Sequence, residues 1–198
     1  ICACLVGSEM CIRDRRSEII HKMEENGVHI GLLPIRKENQ ADSTATLERI
    51  RKNGWDCCEV IEDPEYLFLG SGHPLALTGE ITPQMLAQVP LGTYSHVNDD
   101  NWLLFGHYFS GEAGFRCHSK DAILQYVAQN RCAAIFPRFT SQYEYFVSQG
   151  AVQPVMVHGL DFGHATFLLV HQSGKSLLRE EQSVVCALKR YFKDCTCK

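Results

Sequence analysis

The stretch from Phe115 to Arg138 constrains this chain more than any other, because it reads as a strand, a capped helix and a second strand in immediate succession. Ser119 is a preferred N-cap residue, and Asp121 lies in the first turn, where its charge complements the helix dipole. Ile123, Leu124 and Val127 recur at i, i+1 and i+4 and so present one apolar stripe to a sheet. Cys132 to Phe136 is a continuous apolar run closed by Pro137, which predicts a strand buried on both faces of a parallel sheet. The whole is a compact βαβ unit. Such units bind ligands at the carboxyl ends of their strands, where helix N-termini offer unpaired N–H groups. A cleft is therefore expected near His118, Ser119, Pro137 and Arg138. A packed βαβ element with no ligand fits the same pattern, since fold alone does not imply function.

Composition narrows the choice. With 198 residues, 45% of them hydrophobic and 21% charged, the chain can bury a substantial core as one domain or two small lobes. A net charge of −4 argues against a surface built to hold nucleic acid, which would be basic. No run of about 18 apolar residues is present and the N-terminus lacks the charged-then-apolar order of a signal peptide, so no membrane contact and a cytoplasmic location are expected. The ten cysteines show neither C-x-x-C pairs nor histidines at zinc-finger spacing. No structural metal, cofactor or disulfide framework is expected from them. Cys117, Cys132 and Cys186 fall inside apolar elements, where a free cysteine behaves as a small hydrophobe. The absence of a Gly-x-Ser-x-Gly elbow, a phosphate loop or a His-Glu-x-x-His motif leaves an enzymatic reading unsupported.

In chain order, Ser17 can cap a helix through Asn26 that buries Ile19, Ile20 and Met23, and Val28 to Ile35 is a mostly apolar strand closed by Pro34 and charged residues. A helix over Ser43 to Asn53 stops at Gly54. Two strands, Trp55 to Ile61 and Tyr66 to Leu69, flank the turn signal Glu62-Asp63-Pro64-Glu65. A loop containing His73 precedes a helix opened by Thr82 and Pro83. Leu91 to Ser95 reads as a strand, and Trp102, Phe105 and Phe109 share one helical face. After the βαβ unit come a helix over Thr140 to Ser148, strands over Val152 to Val157 and Ala165 to His171, and the longest amphipathic helix, Ser176 to Lys193. The first segment stands apart. Residues 5–14 (Leu-Val-Gly-Ser-Glu-Met-Cys-Ile-Arg-Asp) have no clear periodicity and resemble a translated sequencing adaptor, so residues 1–14 are expected to be an artefactual leader.

The order of motifs in the rest resembles the effector-binding domain of LysR-type transcriptional regulators. The resemblance covers about residues 17 to 193. It rests on Val28-His29-Ile30-Gly31-Leu32, His73-Pro74-Leu75-Ala76, the Ile81-Thr82-Pro83 helix start with Leu86, the Ser119-headed helix, Ala133-Ala134-Ile135-Phe136-Pro137 and the long closing helix. The His-Pro-Leu-Ala tetrapeptide is moderately specific and the other motifs are weak singly, so their collinearity carries the match. The chain departs from the family in having His29 where Asp is usual and Arg131-Cys132 where a Gly is usual. The resemblance implies an α/β, two-lobed, periplasmic-binding-protein-like (type 2) fold, incomplete at the N-terminus of lobe I. Lobe I would be 15–88 plus 162–198 and lobe II 89–161. It further implies a cytoplasmic sensor that is not an enzyme, binds a small-molecule effector between lobes, forms a homodimer or tetramer, and reaches DNA only through an N-terminal helix-turn-helix absent from this sequence. A solute-binding protein of the same fold, or a dehydratase-like enzyme of aromatic biosynthesis, is the alternative.

By strand-end position, the effector contacts are expected to be Leu33 and Pro34 in lobe I, and Ser95, His96, His118, Ser119, Pro137 and Arg138 in lobe II. A carboxylate suits this set, because a hydroxyl, helix N–H groups and a guanidinium can all donate to it. Each has a plainer role as well: Ser119 as an N-cap, His96, His118 and Arg138 as solvated side chains.

Overall fold

The computed structural model describes residues 3–6, 9–11, 16–25, 27–37, 39–95, 104–110, 113–173 and 177–195. The elements are β1 (Ala3–Val6), β2 (Glu9–Cys11), α1 (Arg16–Glu24), β3 (Ile30–Arg36), α2 (Gln40–Lys52), β4 (Asp56–Gly70), β5 (Leu91–Tyr94) and β6 (Ala113–Cys117). They continue with α3 (Lys120–Ala128), β7 (Ala134–Pro137), α4 (Arg138–Tyr143), α5 (Tyr145–Ser148), β8 (Val152–Val155), β9 (His164–His171) and α6 (Arg179–Cys195). These fall into two compact units, Ile1–Asp63 with His164–Lys198, and Pro64–Gly163. No described helix is long and apolar enough to cross a membrane.

In the first unit β3 pairs antiparallel with β9 along its whole length, Ile30 opposite His171 and Arg36 opposite Ala165. Ile19, Ile20 and Met23 of α1 pack with Val28, Leu33, Ile35, Ile50, Leu168 and Val170, the stripe expected of that helix. Gly31 lets α1 approach, since a Cβ there would lie 2.9 Å from Ile19 Cγ2. α1 already includes Ser17, so Ser17 is not its cap. Pro34 lies inside β3 and does not close it. Its carbonyl accepts from Arg16 Nη1 at 3.2 Å, so a side chain faces the side of the strand that lacks an N–H. α2 starts three residues ahead of Ser43 and ends in a Schellman closure: Gly54 has φ +66 and Trp55 N–H donates to Ile50 O at 3.2 Å. β1 pairs with β2 and with the edge of β3 through backbone bonds, which sequences of many kinds can supply at an open edge.

The expected turn at Glu62 to Glu65 is absent: β4 runs extended through it, with Asp63 and Glu65 buried. Strand pairing overrides the local turn propensity there, Glu65 lying opposite Pro137 and donating its N–H to Gly163 O at 2.9 Å.

In the second unit β4 pairs antiparallel with β7 on one side and β8 on the other. β7 is buried as expected, yet its partner β4 runs against it, so the sheet around it is mixed and not purely parallel. One core joins Leu67, Leu69, Ile81, Leu86, Leu91, Ala133 and Ile135. A second holds α3 through Ile123, Leu124 and Val127, together with Phe68, Cys132, Ala134 and Phe136. Pro83–Gln88 is a 3₁₀ helix, not an α-helix, and the helix expected over Thr140 to Ser148 begins at Arg138 and breaks at Glu144, whose backbone is extended. Phe105 and Phe109 both pack on the first of these cores, but they flank a 3₁₀ turn, Gly106–Tyr108, and do not share the expected helical face; Trp102 lies outside the described residues. Of the three cysteines read as small hydrophobes, Cys132 is buried, Cys117 half-buried and Cys186 exposed on α6.

Candidate functional site

The site grows from three strands that run the same way. β5 and β6 are parallel, with Tyr94 opposite Cys117. Leu91 bridges Ala133 in parallel just ahead of β7, reinforced by Gly92 N–H to Ala133 O at 2.7 Å and Ala133 N–H to Pro90 O at 2.9 Å. β5 thus lies between the two strands of the βαβ unit, and α3 crosses over it. Gly92 permits that crossing, since a Cβ there would lie 2.8 Å from Cys132 Sγ and 3.1 Å from Ile123 Cγ2. The three strands deliver their carboxyl ends to one edge, where the chain continues as Ser95, as His118 and Ser119, and as Pro137 and Arg138.

Ser95 N–H donates to Cys117 O at 3.0 Å, which holds the first two ends together. Ser95 Oγ lies 2.8 Å from His118 Nδ1 and 3.0 Å from Nε2. The hydroxyl can serve one ring nitrogen at a time, with the roles of donor and acceptor set by the tautomer. Ser119 is the N-cap of α3, in extended conformation, with its Oγ accepting from Ala122 N–H at 3.5 Å and its carbonyl accepting from Ile123 N–H at 3.2 Å. The side-chain cap is at the limit of hydrogen-bond length, so the hydroxyl is held loosely. Behind it, Ser119 N–H donates to Cys117 Sγ at 3.1 Å.

Lys120, the first residue of α3, forms an ion pair with Glu144, and both side chains are mostly buried. The pair ties the start of α3 to the break between α4 and α5. Nothing in the sequence pointed to it, because the partners are separated by the whole of α3 and β7. Pro137 is the N-cap of α4 and Arg138 its exposed first residue, with Arg138 O accepting from Ser141 Oγ at 2.6 Å. Ser95, His118 and Ser119 are thus brought together in the second unit. Leu33 and Pro34 belong to the first unit: Leu33 is fully buried in its core and Pro34 is half-buried in β3. His96 lies outside the described residues.

Two titratable groups near this scaffold are perturbed by burial. Cys132, beneath β5, has its thiol pushed up to about 12. His73 has its imidazole held below the ordinary value. His73 was expected in a loop; it is the N-cap of the 3₁₀ turn Pro74–Leu77, its Nδ1 accepting Leu75 N–H at 3.2 Å. Among the described residues no three His, Cys, Asp or Glu side chains cluster so as to hold a metal ion.

A model of the LysR substrate binding domain matches residues 25–193. No curated protein sequence matches the chain. The regulatory domain of CcmR from Synechocystis PCC6803, solved in complex with 2-PG, is similar to the chain with a TM-score of 0.65 at 14% identity, over 91% of this chain and 81% of that one. The reduced OxyR regulatory domain of Pseudomonas aeruginosa gives 0.64 at 11% identity over 92% and 78%. Against full-length OxyR of the same organism the score is 0.64 at 9% identity over 91% of this chain, which spans 53% of that protein. At these identities the likeness is one of fold, the type 2 periplasmic-binding-protein-like α/β fold expected from the motif order.

Proposed function

Since the chain belongs to the LysR substrate binding domain family, we propose that it is the sensing domain of a LysR-type regulator and that it binds a small carboxylate metabolite at the Ser95, His118 and Ser119 edge of its second unit. The observation that carries this reading is the convergence of three parallel strand ends on a helix N-terminus whose capping hydroxyl is only loosely engaged at 3.5 Å. Helix N–H groups and the Ser95 and Ser119 hydroxyls donate to the carboxylate, His118 adds a ring donor, and Arg138 at the third strand end supplies positive charge. Binding without chemistry is its role. The regulator works in the cytoplasm as a homodimer or tetramer and reaches DNA through a helix-turn-helix outside this sequence.

A thermal-shift screen against small carboxylates, with 2-PG included because the CcmR domain was solved with it, tests the reading. A carboxylate that raises the melting temperature of the native chain should do so far less for Ser119→Ala. The loss should exceed the roughly 1 kcal/mol that the cap alone contributes. No shift with any carboxylate, or an undiminished shift in Ser119→Ala, would count against it.

A further inference from the structure

His73 occupies an uncommon capping position. It precedes Pro74 and the 3₁₀ turn Pro74–Leu77, and its Nδ1, not a hydroxyl or carboxylate, accepts the Leu75 N–H at 3.2 Å. Around that bond the backbone closes twice more, His73 N–H to Gly70 O and Ala76 N–H to His73 O, each at 2.9 Å. The turn sets Leu75 and Ala76 against the core of the second unit and leaves Leu77 75% exposed. Ala76 O accepts from Gln153 Nε2 at 3.2 Å, so the turn also anchors the side chain of a β8 residue.

We propose that this segment is an acid-sensitive turn: protonation of His73 at Nδ1 removes its acceptor, breaks the cap on Leu75 and loosens residues 73–78 from the second unit. A ring nitrogen accepts only while it is unprotonated, so the cap requires the neutral tautomer with its proton on Nε2. Once Nδ1 carries a proton, it faces the Leu75 N–H donor to donor. Among the described residues, those packed on the turn offer no charge that reverses this. Gln153 on β8 and Asn130 at the end of α3, whose side chain lies against Gly70 and Gly72, are uncharged. Glu80 and His158 pair with each other at 3.5 Å, and the Arg131 guanidinium lies over the Tyr126 ring. Burial, which favours the neutral ring, is the cause of the depressed His73 titration. A group depressed in this way contributes stability above its unfolded value and loses it as the pH falls through the folded one. The opening therefore belongs on the acid side of the ordinary histidine range, below about pH 6.5.

Amide hydrogen exchange followed by NMR on the native chain tests this. After correction for the intrinsic pH dependence, protection of the Leu75 amide should fall about fivefold between about pH 7.5 and pH 5, the equivalent of losing one side-chain cap. His73→Asn keeps an acceptor that does not titrate, and its Leu75 protection should stay constant over the same range. The neutral ring should carry its proton on Nε2 in ring-nitrogen correlation spectra. A Leu75 protection that is flat with pH in the native chain, an equal fall in His73→Asn, or an Nδ1–H tautomer each overturns the proposal.

Discussion

Replacing Gly70 by Ala probes how the site helix is seated, and the cost can be worked from the contacts. A Cβ at Gly70 would lie 2.3 Å from Asn130 Oδ1 and 2.4 Å from Val127 O, against ordinary contacts of 3.4 Å or more. The two obstacles differ in kind. The Asn130 amide can swing away, but Val127 O belongs to the last turn of α3, where it accepts from Asn130 N–H at 2.9 Å while Arg131 N–H closes the helix on Tyr126 O at 3.1 Å. Moving it means opening the helix end or shifting α3, and with α3 the Ser119 cap. A cost of about 3 kcal/mol is expected, the upper end of the overpacking range. At this chain length that is a drop of roughly 10 °C in the melting transition, measurable by circular dichroism and by urea titration. Asn130→Gly supplies the separation of terms. Asn130 has φ +58, a conformation that glycine holds without strain, so the single substitution should cost little. The double variant should recover less than half of the Gly70→Ala loss, because the carbonyl remains. Gly70→Ala within about 0.5 kcal/mol of the native chain, or full recovery in the double variant, would refute the seating of α3 against the end of β4.

Two further outcomes follow from the charges and thiols. Cys132, 1% exposed with its thiol pushed up to about 12 by burial, should resist alkylation under native conditions while exposed Cys186 reacts, as read by peptide mass spectrometry; modification of both at equal rates contradicts the packing. Glu24 accepts from Arg49 Nη2 at 2.7 Å and Nε at 3.1 Å, which holds its carboxyl below the usual value. A carboxylate lowered in the folded state stabilises it above the unfolded value and loses that contribution as the pH falls through the folded one. Glu24→Gln should therefore cost under about 1 kcal/mol near neutrality, as partly exposed pairs do, and the difference from the native chain should vanish below about pH 4. A difference that persists in acid would mean that packing, not the pair, links α1 to α2.

How much of this was readable in the sequence depends on what decides each feature. The apolar stripes of α1 and α3 were legible because burial of Ile19, Ile20 and Met23, and of Ile123, Leu124 and Val127, is set by spacing along one helix. The Ser119 cap was legible for the same local reason. The failures lie where a distant partner decides. Glu62-Asp63-Pro64-Glu65 has turn chemistry, yet β7 and Gly163 hold it extended. β7 reads as a parallel strand because apolar runs carry no direction, and only its neighbour β4 makes the pairing antiparallel. The Lys120 to Glu144 pair and the Ser95 to His118 contact each join residues more than twenty positions apart, and neither has a periodicity to betray it. Site candidates named by strand end divide on the same line. Ser95, His118 and Ser119 converge because parallel pairing of β5 with β6 puts their ends side by side. Leu33 was named by the same rule, but in β3 its side chain is buried in the core, with none of its surface left for a ligand. Strand-end position therefore selects an edge of the sheet, while the facing of each side chain, fixed by register with a remote strand, selects which residues are exposed there.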